Sequence, residues 1–449
     1  MNRDLVGLAI ANGCFLAAGI GVTGIAGWWR GRGVLRSLGV SYLCGIAAFG
    51  VIAQLLYVLG ASLARWQVIA VCAVLAAGSA RGLRGLAPSA SPIRLPRAAV
   101  ACVVAMLGLL AVDLWFQPLW AYDAWTFWTP KANALYVLNG LDPSWFGAHD
   151  LRNRDYPLLL PAIEAATFRF TGYETSLLDL QSWLALVAFL AAVVEVGRRL
   201  GSRRSLLAAV LLSIVFAPAV ADQLASAEAD IPLAAMFAAA GLAACVWLEE
   251  RRYGALALTG LLAAGCAATK IEGTAFVIAL FAPLVALGVR RAPREGGLVA
   301  AVGVAALAVG IVPWRLWLSA HHVPEQVTLH RLASPSLLAS HIDRLPRAAA
   351  YMGWRLLDPR AWILLVPLCV AALVLSRRER SQVTFLAATA AALALCGLLV
   401  AYWTTPLPFH YHLATSARRV ITGPIFLLAA LAPLIWTGTL GRRRYPPRS

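Results

Sequence analysis

The sequence predicts an all-α protein that threads a membrane repeatedly, and three observations carry that prediction. Its 449 residues are 61% hydrophobic and 13% charged, whereas a soluble domain carries about 25% charge. Apolar runs close to the roughly 20 residues that cross a bilayer core recur along the chain. The basic residues collect in short clusters between those runs, and the clusters fall on alternate loops.

Thirteen spans follow, near residues 5–28, 37–60, 63–80, 98–116, 176–197, 205–222, 229–248, 254–269, 274–290, 297–318, 361–376, 382–402 and 420–439. The first run is too long for the core of a signal peptide and counts as a span. Clusters at Arg30, Arg32 and Arg36, at Arg81, Arg84, Arg94 and Arg97, and at Arg198, Arg199, Arg203 and Arg204 share one side. So do Arg251 and Arg252, Arg290, Arg291 and Arg294, Arg377, Arg378 and Arg380, and Arg442, Arg443, Arg444 and Arg448. That side is assigned as cytoplasmic, which puts the N-terminus outside and the C-terminus inside. The outer side receives the long loops 117–175 and 319–360 and the shorter stretches 222–229, 269–273 and 403–419. The chain thus divides into N-terminal helices (1–97), a larger membrane module (98–439) and a basic cytoplasmic tail (440–449), with no large soluble domain expected.

The net charge of +17 does not point to nucleic acid, because such binders gather basic residues on a soluble face and here they punctuate apolar runs. The eight cysteines, at 14, 44, 72, 102, 245, 266, 369 and 396, all lie in apolar runs without metal-ligand spacing. They read as small buried hydrophobes, with neither disulfides nor a metal site expected.

The loop 117–175 is the longest polar interruption and has helical content of its own. Thr129 is placed to cap a helix whose first position is Pro130, and Asn139-Gly140 to end it, leaving Leu135 and Leu138 for the interface. After an Asp142-Pro143 turn, Asp155 is placed to cap a second helix from Tyr156 to Phe170. Trp120, Trp125, Trp128 and Trp145 suit a segment at headgroup depth.

Charge at membrane depth is costly unless paired or wetted, so ionisable groups at the outer ends of spans are functional candidates. Asp123, Lys131, Asp155, Asp222, Glu228, Asp230, Lys270, Glu272, Arg315, His321, His322, His410, His412, Arg418 and Arg419 all fall there. The only two lysines, Lys131 and Lys270, are both among them; a compact ammonium suits a small anion or a carboxylate in tight quarters. Asp123 stands among tryptophans just past a span, where a carboxylate suits general-base work. It equally suits a helix cap or a partner for Lys131. His410 and His412 alternate, so an extended loop would put them on one face, yet without cysteines or a His-Glu helix motif they do not make a metal site. Arg418 and Arg419 sit outside against the charge rule, positioned for a phosphate or for lipid headgroups.

Five motifs in order carry a resemblance. They are Asp-Ala-Trp-x-x-Trp-x-x-Lys-Ala (123–132), Asp-Tyr-Pro-Leu-Leu-Leu-Pro (155–161), Asp-Ile-Pro-Leu (230–233), Thr-Lys-x-Glu-Gly (269–273) and His-Leu-x-Thr-Ser-x-Arg-Arg (412–419). Together they resemble bacterial members of the GT-C glycosyltransferase superfamily, of the protein O-mannosyltransferase-like and aminoarabinose-transferase-like kind. The resemblance covers residues 98–439. It implies a GT-C-like bundle of about 13 transmembrane helices with a juxtamembrane helical first outer loop.

It also implies an inverting transfer, at the outer face of the plasma (inner) membrane, of a sugar from a polyprenyl-phosphate carrier to an acceptor hydroxyl. The acceptor would be an envelope glycan, lipid or protein. Asp123 takes the position of the base, and Asp155 that of a second acid which orients the acceptor or a bound divalent cation, the only cofactor the resemblance raises. Lys131, Lys270, Arg418 and Arg419 become the donor-phosphate ligands, with Glu272, Asp230, Trp125, Trp128 and His412 in support. A lipid phosphate needs no glycine-rich nucleotide loop, and none is present. Two departures stand out: Ala124 follows Asp123 where several relatives have Asp-Glu, and the helices before residue 98 look like an addition. A transporter or flippase for lipid-linked glycans, and an O-antigen polymerase or ligase, are the alternatives.

Overall fold

Runs of Ala, Leu and Val with few polar breaks can satisfy their backbone groups in an apolar medium only by closing each N–H on a carbonyl four residues back. The described residues do so over most of their length. The computed structural model describes residues 2–29, 33–79, 95–148, 151–324, 331, 334–376 and 381–437. These are all-helical, with 82% in helix and no strand among them. The Arg30/Arg32, Arg81/Arg84/Arg94, Arg377/Arg378/Arg380 and Arg442–Arg448 clusters lie outside the described residues, as does the tail 440–449.

Nine helices among the described residues are long and apolar enough to cross a membrane. They are Leu5–Ile25, Leu38–Val58, Arg97–Phe116, Thr175–Arg199, Asp230–Glu250, Ile271–Val289, Pro293–Ala320, Gln382–Thr404 and Phe409–Thr437. The expected span 205–222 is instead two helices, Arg204–Val215 and Pro218–Leu224, bent by 56°. Pro218 starts the second half, and a proline cannot donate back into the preceding turn. The expected spans 63–80, 254–269 and 361–376 are the shorter helices Arg65–Ala77, Tyr253–Thr269 and Leu365–Leu375.

Asp230–Glu250 is the axis of the bundle, buried along its whole apolar length. Its alanines let neighbours approach closely, among them Phe237 stacked on Phe276 at 4.7 Å. By contrast Arg97–Phe116 and Pro293–Ala320 are only 17% and 28% buried and turn Val104, Leu109, Val112 and Val304 outward, as a lipid-facing helix does. The N-terminal helices are woven into this body. Gln54 donates to the Gly310 carbonyl at 2.7 Å and accepts from the Leu158 N–H at 3.0 Å, and Tyr42, Asn12 and Gln181 form a buried hydrogen-bonded triad. Residues 409–419, expected as loop, form the helix Phe409–Val420, which runs into Thr422–Thr437.

Candidate functional site

Four local backbone features aim side chains at one end of the bundle. The first is a π-helical turn, Ala124–Trp128, in which the Thr129 N–H reaches back five residues to the Ala124 carbonyl; such widened turns are frequent at functional sites. It buries Phe127 and Trp128 and leaves Asp123 at its start facing a cavity. The helix Thr129–Val137 simply continues from it, so Thr129 is not a cap, and its hydroxyl is buried without a hydrogen bond among the described residues.

The second is the break between Tyr253–Thr269 and Ile271–Val289. A single extended residue, Lys270, joins them, and Gly273 lies so close to the preceding helix that a Cβ there would sit 1.9 Å from the Cys266 carbonyl oxygen. The third is Ala227, held at φ 48° and buried, which turns the chain so that Glu228 precedes the axial helix. The fourth is the helix Phe409–Val420. Its His412, Ser416 and Arg419 share one face by their i, i+4, i+7 spacing and line the cavity. On a helix His410 and His412 point apart, and His410 is exposed, contrary to the extended-loop expectation.

These features enclose a cavity of about 620 Å³. Arg419 spans its wall: one guanidinium nitrogen meets Asp123 Oδ2 at 2.6 Å and another contacts Glu228 Oε2. Lys270 Nζ bonds Asp230 Oδ1 at 2.9 Å and lies 3.5 Å from Glu272 Oε1. Arg418 pairs with Asp222 at 2.9 Å. Burial, reinforced by Asp230 and Asp123 and opposed by Arg419, pushes the Glu228 carboxyl up to about 7. Burial pulls the Lys270 ammonium down, but Asp230 and Glu272 outweigh it and hold its pKa above the ordinary lysine range. Asp123 Oδ1 accepts no hydrogen bond among the described residues, which leaves one carboxylate oxygen of the cavity wall open.

Asp123, Lys270, Glu272, His412, Arg418 and Arg419 all line this cavity, and Asp230 stands directly behind Lys270. His412 is held through Nδ1 and the Thr405 hydroxyl at 2.9 Å.

Four expected site residues are elsewhere. Lys131 is fully buried, and its Nζ gives its three protons to the carbonyls of Asn153, Arg154 and Tyr156 at 2.7, 3.2 and 2.9 Å. It ties the two halves of the first loop together instead of binding an anion or pairing with Asp123. Asp155 is not a cap, since the helix starts at Leu159. Its buried carboxylate lies 3.8 Å from Arg315, its carbonyl accepts from Trp314 Nε1, and it does not line the cavity. Trp128 packs in the core between Phe127 and Tyr156. Trp125 is 53% exposed and edge-on to the lining residue Tyr122, and does not itself line the cavity.

Two cationic lining residues escaped the sequence reading, Arg152 and Arg355. Arg152 carries no local signal. Arg355 had one: it lies in Arg344–Leu357, whose buried Ala348 and Met352 and exposed Trp354 and Leu357 mark an amphipathic interfacial helix.

The donor set does not fit a divalent cation. Asp123, Asp222, Glu228, Asp230 and Glu272 each already face a cationic side chain, and Asp155 faces Arg315. Among the described residues no group of three or more His, Cys, Asp or Glu is arranged around a metal position. Compared with protein-family models, curated proteins and solved structures, the chain has no match.

Proposed function

We propose that the protein is a membrane glycosyltransferase of GT-C type that moves a sugar from a polyprenyl-phosphate carrier to an acceptor hydroxyl at the extracytoplasmic face of the plasma membrane. The observation that carries this reading is one shared cavity. Asp123 in the first loop, Lys270 at a helix break and Arg419 near the last span come from distant parts of the chain and line the same 620 Å³ space. Inverting transfer needs a carboxylate beside the acceptor and positive charge beside the departing phosphate.

In this reading the open Oδ1 of Asp123 takes the acceptor hydroxyl proton. The acceptor oxygen forms a bond to the anomeric carbon as the bond from that carbon to the phosphate oxygen breaks, and its electron pair leaves on the lipid phosphate. Arg419 holds the other carboxylate oxygen, which fixes the direction of the base. Lys270 serves chiefly to neutralise Asp230 and Glu272. The acceptor is a glycan, lipid or protein of the envelope.

The test is Asp123→Asn, which keeps the shape and the Arg419 contact but cannot take a proton. Transfer should fall by at least about 100-fold while the protein still inserts and purifies. Unchanged transfer would remove Asp123 from the mechanism.

A second reading is supported by a separate observation. The 56° break at 215–218 and the extended Lys270 between two helices are broken elements beside a polar cavity, as in transporters of lipid or solute. Vesicles containing the purified protein separate the two: labelled polyprenyl-phosphate sugar crossing the bilayer with no new glycosidic bond favours transport.

A further inference from the structure

Five cationic side chains line the cavity, and a charge inventory splits them. Lys270, Arg418 and Arg419 are each committed to carboxylates at 2.6 to 2.9 Å. Arg152 and Arg355 have no carboxylate partner among the described residues. Both are instead braced by aromatic rings. The Arg152 guanidinium lies 5.8 Å from the centre of the Tyr122 ring. That of Arg355 lies 4.4 Å from the Trp354 ring and 5.1 Å from the Tyr351 ring, with two hydrogen bonds to the Tyr351 hydroxyl. A guanidinium set over an aromatic ring is braced: Arg355 spends its Nε and one Nη2 proton on Tyr351, and its two terminal nitrogens still present the Nη1–Nη2 edge, which can donate two bonds to a tetrahedral anion.

Sequence position adds a second argument. Arg355 falls three and seven residues after Met352 and Ala348, the buried residues of its helix, so it shares their inward face while Trp354 and Leu357 are 57% and 69% exposed. Arg152 comes from the first loop. The two arginines therefore reach the same cavity from two separate segments, both carrying exposed aromatics suited to headgroup depth.

We propose that Arg152 and Arg355 form an anion clamp on the cavity wall that takes the phosphate of a phosphate ester. This rests on the reading of the cavity as the site of a lipid-linked donor, and it moves phosphate recognition from Lys131, Lys270, Arg418 and Arg419 to two residues without a carboxylate partner among the described residues. Binding there leaves the Asp123–Arg419–Glu228 and Asp230–Lys270–Glu272 pairs intact. A ligand phosphate thus enters without first displacing a carboxylate.

The experiment uses the full chain in zwitterionic nanodiscs and measures binding of undecaprenyl monophosphate, with uncharged undecaprenol as control and inorganic phosphate as competitor. Arg152→Gln and Arg355→Gln should each weaken binding of the monophosphate by about tenfold, and the double variant by more, so that the preference over undecaprenol collapses. Arg355→Lys should fall between, because it keeps the charge and loses the fork. Competition by millimolar inorganic phosphate supports the clamp as a general phosphate site; no competition supports it as a lipid-phosphate site. If both Gln variants bind the monophosphate as the parent does, the clamp is overturned and the enzyme reading stands. If the parent chain prefers undecaprenyl monophosphate to undecaprenol by no margin, the clamp and the lipid-linked reading fall together. A variant that purifies with an altered melting midpoint is replaced by the other single change, since each arginine alone suffices for the comparison.

Discussion

At the scale of single residues, the two lysines show how burial and partners separate a structural cation from a site cation. Lys131 gives all its donors to backbone carbonyls, and Asn153 keeps the Tyr156 N–H as a second partner, so Lys131→Met should leave the Arg154 and Tyr156 carbonyls without their lysine donor. At about 1–3 kcal/mol for each unsatisfied group, the melting midpoint should drop clearly. Burial also lowers the Lys131 pKa to about 7, with Asp155 opposing and Arg315 reinforcing. The unfolded chain then holds a proton that the folded chain has released between pH 7 and the unfolded value near 10.5. Stability contributed at this position therefore rises with pH across that window, and the gap in melting midpoint between the parent and Lys131→Met should widen from pH 7 to 10. Arg419 behaves oppositely. Its removal in Arg419→Gln strands Glu228, which is 4% exposed, at a cost of about 3–5 kcal/mol. That loss should shrink at pH 5, where Glu228 takes up a proton, and a loss that does not change with pH would contradict the ion-pair account.

At the scale of elements, helix breaks build the site. Gly273 allows Ile271–Val289 to start against the carbonyl end of Tyr253–Thr269, and that contact aims Lys270 and Glu272. Gly273→Ala should separate the two helices, destabilise the protein by about 1–3 kcal/mol, and reduce activity further than stability alone explains, because both side chains move. Comparing residual activity with residual folded fraction at one temperature checks this. The helix Phe409–Val420 illustrates the same dependence on backbone form. An extended segment would set His410 beside His412, whereas a helix sets His412 beside Ser416 and Arg419.

At the scale of the whole molecule, the question is which side of the membrane the cavity faces. The positive-inside expectation is that Arg251 and Arg252 are cytoplasmic and that the cavity faces outward. In a background without Cys102 and Cys396, the exposed cysteines, Tyr411→Cys should react with a membrane-impermeant maleimide on intact cells. Arg252→Cys should react only after the cells are opened. The reverse pattern would place the cavity in the cytoplasm and remove extracytoplasmic transfer with it.

Helical class, membrane residence and the polar character of one face were legible in the residues themselves, because they follow from apolar run length and the spacing of arginines, which are local properties. Asp123, Lys270, Glu272 and Arg419 could be picked out for the same reason: charge at the end of an apolar run is conspicuous wherever it falls. Which charges meet could not be read that way. Lys131 and Lys270 look alike along the chain, and only packing gives one to three carbonyls and the other to Asp230. Arg152 and Arg355 are two among many arginines until the fold brings both to one cavity, without a carboxylate partner among the described residues. Pairing across hundreds of residues depends on how helices cross and where they break, and single-segment patterns carry no record of that.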